Sequence, residues 1–177
     1  MVLILALDTA TPYLVLGLPH AERIIHLQRR HAEVLWQELE AFLKGAGVEL
    51  RQLSGIAVGR GPGSYTGLRV GIAAGLGLAR GLGISAVSVD TLEAVALRHQ
   101  GLVTVTHRTR NGLCYTASYR VEGDRLEVLH SPRRARLGEL QPAGLLVVDE
   151  PPSGRALARL GQAALQKGHA QVEPLYL

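Results

Sequence analysis

The chain has 177 residues, 47% apolar and 19% charged, with a formal net charge of +4; that is room for one domain or two small lobes, and it excludes a disordered or collagen-like chain. A single cysteine, Cys114, cannot close an internal disulfide, and the longest apolar stretch is broken by Arg69 and Arg80, so neither a bridged secreted scaffold nor a membrane span is expected. The basic set is 17 Arg to 2 Lys without a long basic run, so direct nucleic-acid binding has no strong signature.

The opening segment MVLILALDTA lacks a basic leader region and reads as a strand, not a signal peptide, so a cytoplasmic location is expected. Val2–Leu7 is a continuous apolar run ending at Asp8, the pattern of a strand buried on both faces. After a turn at residues 9–12, Tyr13–Leu18 and Arg23–Leu27 complete an antiparallel meander. His31–Lys44, apolar at three- and four-residue spacing, is an amphipathic helix stopped by Gly45 and Gly47. Gly55–Gly59 is a strand, residues 61–64 a loop, Thr66–Arg80 a helix, and Ile84–Val89 a strand. A short helix then runs from Thr91 to about Arg98. The order β-β-β-α-β-α-β-α is that of a ribonuclease H-like α/β lobe.

Beyond Gln100 the texture becomes β-rich. Leu102–Thr106, Leu113–Arg120, Arg125–Ser131 and Leu145–Asp149 read as strands, the first two joined at the hairpin signal Asn111-Gly112. Ser153–Lys167 reads as a helix capped by Ser153. The expected division is residues 1–99 as a complete N-terminal lobe and 100–177 as a C-terminal α/β lobe with much of its helical half missing.

Three segments could carry chemistry. Asp8, Thr9 and Thr11 follow a buried strand, the way actin-like ATPases meet metal-bound phosphates, but Ala10 and Pro12 stand where such turns use glycine. Local side-chain bonds that close the turn are the favoured reading. Gly61, Gly63 and Ser64 lead into a helix start, a ready anion site, yet match neither the P-loop nor the dinucleotide fingerprint. Phosphate binding and a tight turn stay equally open there. Ser64 has neither a neighbouring base nor a G-x-S-x-G frame to make it a nucleophile.

Of 21 glycines, 12 fall between Gly45 and Gly83, where an average stretch would hold about three. Gly67, Gly71 and Gly75 recur every four residues on the second helix, and each interior glycine costs about 1 kcal/mol relative to alanine. Another backbone must therefore approach that face. A partner protein is favoured over packing on the helix of residues 31–44, so Gly71→Leu is expected to spare the fold and block pairing. The seven histidines show no H-x-x-x-H or H-E-x-x-H spacing, so no metal site is expected and acid–base signals are thin. Arg108, Arg110, Arg133, Arg134 and Arg136 could touch phosphate, but a solvated face is the commoner outcome.

Four segments together resemble the TsaB/YeaZ family of tRNA threonylcarbamoyladenosine biosynthesis proteins, a glycoprotease-like branch of the actin-like ATPase superfamily. They are Ile4–Thr11, Gly61–Gly71, Val87–Ala94 and the terminal Pro174-Leu175-Tyr176-Leu177, the second being the most distinctive. The resemblance implies the ribonuclease H-like (actin-like ATPase) fold with a shortened C-terminal lobe. Where the family shows Asp-Ala-Arg, this chain has Arg108-Thr109-Arg110. It further implies a non-catalytic scaffold for N6-threonylcarbamoylation of adenosine 37 in tRNA. Its partners would be a TsaD-like ligase, whose metal-binding histidine pair is missing here, and a TsaE-like ATPase, with a homodimer when the partner is absent. Contact with tRNA would be indirect or weak. No tightly bound cofactor is implied, with ATP or ADP expected only at the partner interface. The interface would comprise Leu35, Trp36, Leu39, Gly67, Leu68, Gly71, Ile72, Gly75 and Leu78. An ATP-using enzyme and a glycoprotease-like peptidase of the same superfamily are the rival readings.

Overall fold

A computed structural model describes residues 2–27 and 30–177. Strands β1 (Ile4–Asp8), β2 (Tyr13–Leu18) and β3 (Ala21–His26) form the expected meander. Helix α1 (His31–Gly45) leads to β4 (Gly55–Gly59), and α2 (Tyr65–Leu82) to β5 (Ser85–Val89). These strands make one five-stranded sheet, order β3-β2-β1-β4-β5, with β4 parallel to both β1 and β5. Strand parity divides the apolar run of β1 between two cores, because successive side chains point to opposite faces. Leu5 and Leu7 pack with Leu35, Leu39 and Ala74 under α1 and α2, whereas Ile4 and Ala6 pack on the other face with Ala57 and Leu157.

The short helix α3 (Thr91–Ala96) is capped by Asp90, whose Oδ1 accepts from the amides of Leu92 and Glu93. It leads to β6 (Gly101–Arg108), β7 (Leu113–Glu122), β8 (Arg125–Arg136) and β9 (Leu145–Val148), which form a second sheet in the order β8-β7-β6-β9. Asn111 and Gly112, both at positive φ, turn β6 back into β7, as the sequence signal requires. Strand β8 runs past Pro132, beyond the expected end at Ser131, because the proline falls at an irregularity in the pairing with β7. Leu92, Val95 and Ala96 fill a third core with Val103, Val105, Tyr119 and Val147, so α3 is shared between the two sheets.

The last helix, α4 (Gly154–Gln166), crosses back. Ser153 caps it by accepting from the Ala156 amide. Its Ala156, Leu157 and Ala158 then seal the first sheet with Ile4 and Ala57. Gly161 lets it sit there, since a Cβ at 161 would overlap that of Ala57. A division at residue 99 therefore follows the sheets but not the helices. Among the described residues no helix is long and apolar enough to cross a membrane.

Candidate functional site

The turn after β1, the start of α2 and the β6–β7 hairpin enclose a cleft of about 970 Å³. On its first side, Ser64 donates its amide to the carbonyl oxygen of Ala10 and caps α2 by accepting from the Gly67 amide at 3.2 Å. Gly63 is required for the turn to lie that close, because a Cβ there would collide with the Ala10 carbonyl. Thr11, Gly63 and Ser64 line the cleft; Thr11 Oγ1 accepts from the Tyr13 amide at 3.3 Å.

Asp8, Thr9 and Gly61 are elsewhere. Asp8 shares the parity of Ile4 and Ala6, so its side chain runs to the α3 side of the sheet. There it is fully buried; Oδ1 accepts from the Ala10 amide (2.8 Å) and Oδ2 from the Thr91 hydroxyl (2.6 Å). The Gly61 amide in turn donates to Thr91 Oγ1 at 3.1 Å. Gly59 makes room for this carboxylate, which a Cβ would overlap. Burial pushes the Asp8 pKa up to about 6, against the opposing pull of its two donors. Thr9 Oγ1 donates to the Gly67 carbonyl at 2.5 Å. The favoured reading of local turn-closing bonds thus holds for Asp8 at Ala10, although the same carboxylate also ties β1 to α3, and fails for Thr9, whose hydroxyl reaches α2 instead.

Beside it lies a second acidic cluster. Arg60 is 3.7 Å from Asp90, and burial raises the pKa of Asp90. Glu93 is pushed up to about 7, by burial first and by Asp90 second. Fully buried Tyr119 has its pKa raised by burial and by both carboxylates. Among the described residues, no group of three or more His, Cys, Asp or Glu is placed to hold a metal ion.

The hairpin side brings together residues that sequence spacing did not link. Cross-strand register sets His107 opposite Tyr115 and Tyr115 opposite Arg134, so the three share a sheet face. Arg108 is clamped by Asp149, whose Oδ1 accepts from its amide and Oδ2 from its Nε. The hairpin arginine is thus held by an acid that directly follows β9. Arg110, Tyr115 and Asp149 all line the cleft. Of these, Arg108, Arg110 and Arg134 were singled out from the sequence as possible phosphate contacts; the 107–115 register could have been counted back from Asn111-Gly112.

The expected partner surface needs correction. Gly67, Gly71 and Gly75 face neither another protein nor α1. A Cβ on them would overlap the Thr9 carbonyl, crowd Thr9 Oγ1, and overlap Val58 Cγ2, so the stripe seats α2 on its own sheet. Leu35, Leu39 and Leu68 are buried, and Ile72 and Leu78 are partly buried against the core. Of the nine residues only Trp36 is exposed, at 53%. The outward faces of α1 and α2 instead carry Trp36 together with Ala73, Leu76 (45% exposed) and Gly77.

A mixed sheet in this order, a second sheet behind a shared helix and a cleft between the first turn and the α2 start define the actin-like ATPase class of α/β fold. A solved structure of YeaZ from Pseudomonas aeruginosa superimposes with a TM-score of 0.89 at 25% identity, covering 100% of both chains. TsaB of Bacillus subtilis, a tRNA threonylcarbamoyladenosine biosynthesis protein, is 34% identical over 132 residues, 70% of this chain and 58% of that protein. Its Escherichia coli namesake is 35% identical over 97 residues, 52% of this chain and 42% of that protein. The aligned stretches thus span about half the length of these curated relatives. The profile of the family TsaD, tRNA N6-adenosine threonylcarbamoyltransferase, matches residues 25–171. The chain belongs to this family, on its TsaB/YeaZ, glycoprotease-like branch.

Proposed function

We propose that the chain is a non-catalytic scaffold in tRNA N6-threonylcarbamoyladenosine formation at adenosine 37, where it binds and activates a TsaD-like ligase alongside a TsaE-like ATPase. The observation that carries this reading is the exposure of two large apolar side chains, Trp36 on α1 and Leu76 on α2, on a chain that belongs to the TsaD family. A buried Asp8 committed to Thr91 and Ala10 also supports it, since that carboxylate is held away from the cleft where it would meet a metal-bound phosphate. The same face pairs two copies of the chain when the ligase is absent. ATP or ADP belongs at the partner interface, and tRNA is met chiefly through the ligase.

Both side chains point outward, so Trp36→Glu with Leu76→Arg leaves the fold unchanged by circular dichroism. The double variant is expected to lose co-elution with the ligase homologue on size exclusion, with affinity falling at least about a hundredfold. Unchanged co-elution would exclude this face as the docking surface.

A further inference from the structure

Strand β8 lies at the edge of the second sheet, so its outer side has no neighbouring strand. It exposes Arg133, Arg134 and Arg136 in close succession. Register brings in a fourth arginine from the preceding hairpin: Arg136 pairs with Leu113, whose amide donates to the carbonyl oxygen of Arg110. None of these four has a carboxylate partner among the described residues, whereas Arg108 is matched to Asp149, Arg120 to Glu127 and Arg159 to Asp124. The paired segments 108–116 and 131–139 hold five arginines and one carboxylate, Glu139, besides the Asp149 that clamps Arg108. The excess of three is most of the chain's formal net charge of +4. Like charges held this close repel, a cost that an anionic partner removes.

Spacing and surroundings select that partner. Arg134 and Arg136 share one face of β8, about 7 Å apart along the strand. Successive phosphates along a nucleic-acid strand have a comparable separation. Arg133 stands on the other face of the same open edge. No large apolar side chain is exposed in either segment. Protein interfaces have an apolar centre, and segments that lie on membranes need apolar residues to insert. A partner met by charge alone, through planar guanidinium forks that match phosphate, is a nucleic-acid backbone.

We propose that Arg110, Arg133, Arg134 and Arg136 are this chain's own contact with RNA, holding the tRNA by its backbone phosphates while the ligase modifies it. The choice of tRNA rests on the scaffold reading above; the basic edge itself does not. Its residues belong to β8 and the β6–β7 hairpin, different elements from those that carry Trp36 and Leu76, so the two surfaces are tested separately.

The test is fluorescence anisotropy of the full chain with a labelled tRNA transcript across a salt series. Four phosphate contacts give a slope of log K against log salt of about −3, so affinity is expected to fall roughly thirtyfold between 50 and 150 mM salt. Arg134→Gln should flatten the slope by about one, and Arg134→Lys, which keeps the charge, should restore it. The triple variant Arg133→Gln, Arg134→Gln, Arg136→Gln should leave a slope of about −1 and bind at least about tenfold more weakly at 50 mM salt. Its circular dichroism and its co-elution with the ligase homologue should match wild type, because the three side chains are exposed and lie off α1 and α2. Wild type that co-elutes with the ligase but binds no tRNA by itself overturns this proposal and leaves the scaffold reading standing. Wild type that binds tRNA with the expected slope but does not co-elute supports the RNA contact and removes the scaffold reading. A triple variant that binds tRNA like wild type, or wild type that prefers poly-glutamate or phosphatidylserine vesicles to tRNA, would also overturn the proposal.

Discussion

Asp8 and Glu93 are carboxyl groups whose neutral form the fold favours more than water does, by burial and, for Glu93, by the neighbouring Asp90. Their folded-state pKa values, about 6 and about 7, lie above the ordinary values of 3.8 and 4.5. The folded chain therefore binds more protons than the unfolded one between those limits, and these two groups make it more stable as pH falls through 7 towards 5. His107, lowered by burial, works the other way below its ordinary value of 6.5. A difference measurement separates the two. Wild type is expected to gain stability relative to Glu93→Gln between pH 8 and pH 6, by up to about 1 kcal/mol per pH unit, read from urea midpoints. A difference that stays flat with pH would contradict a raised Glu93. The carboxylate after β1 was legible in the sequence; its use was not, because Thr91 lies 83 residues away and only folding brings it to 2.6 Å.

At the scale of elements, α2 is the most informative. Four-residue glycine spacing correctly announced a close approach along one helix face, yet the neighbours are Val58 of the helix's own sheet and Thr9 in the turn after β1. Gly71→Ala replaces glycine by a better helix former, worth about 1 kcal/mol, but its Cβ would stand 2.5 Å from Thr9 Oγ1. It is expected to destabilise by about 1–3 kcal/mol. Gly77→Ala, where a Cβ meets nothing within 4 Å, is expected to stabilise by about 1 kcal/mol. Opposite signs in urea denaturation would establish the packing, and two stabilising substitutions would refute it. The expectation that Gly71→Leu spares the fold is reversed for the same reason.

For the whole molecule, α4 decides how the lobes cohere. It follows the second sheet in the chain, yet fully buried Leu157 sits in the core of the first sheet with Ile4 and Ala57. Leu157→Ala is expected to cost about 3 kcal/mol and to shift a single cooperative unfolding transition probed in both sheets. Two transitions, with only the second sheet affected, would place α4 in the wrong lobe. The sequence by itself determined the strands, the amphipathic helix, the Asn111-Gly112 hairpin and the α/β class, because these follow from local periodicity and turn chemistry. It also carried the family, through four short segments kept in order. Only the tertiary structure decided which face of α2 is free, where Asp8 points, and that His107 and Tyr65 line one cleft. Those outcomes depend on strand parity and on contacts between residues far apart in the chain, which no local pattern encodes.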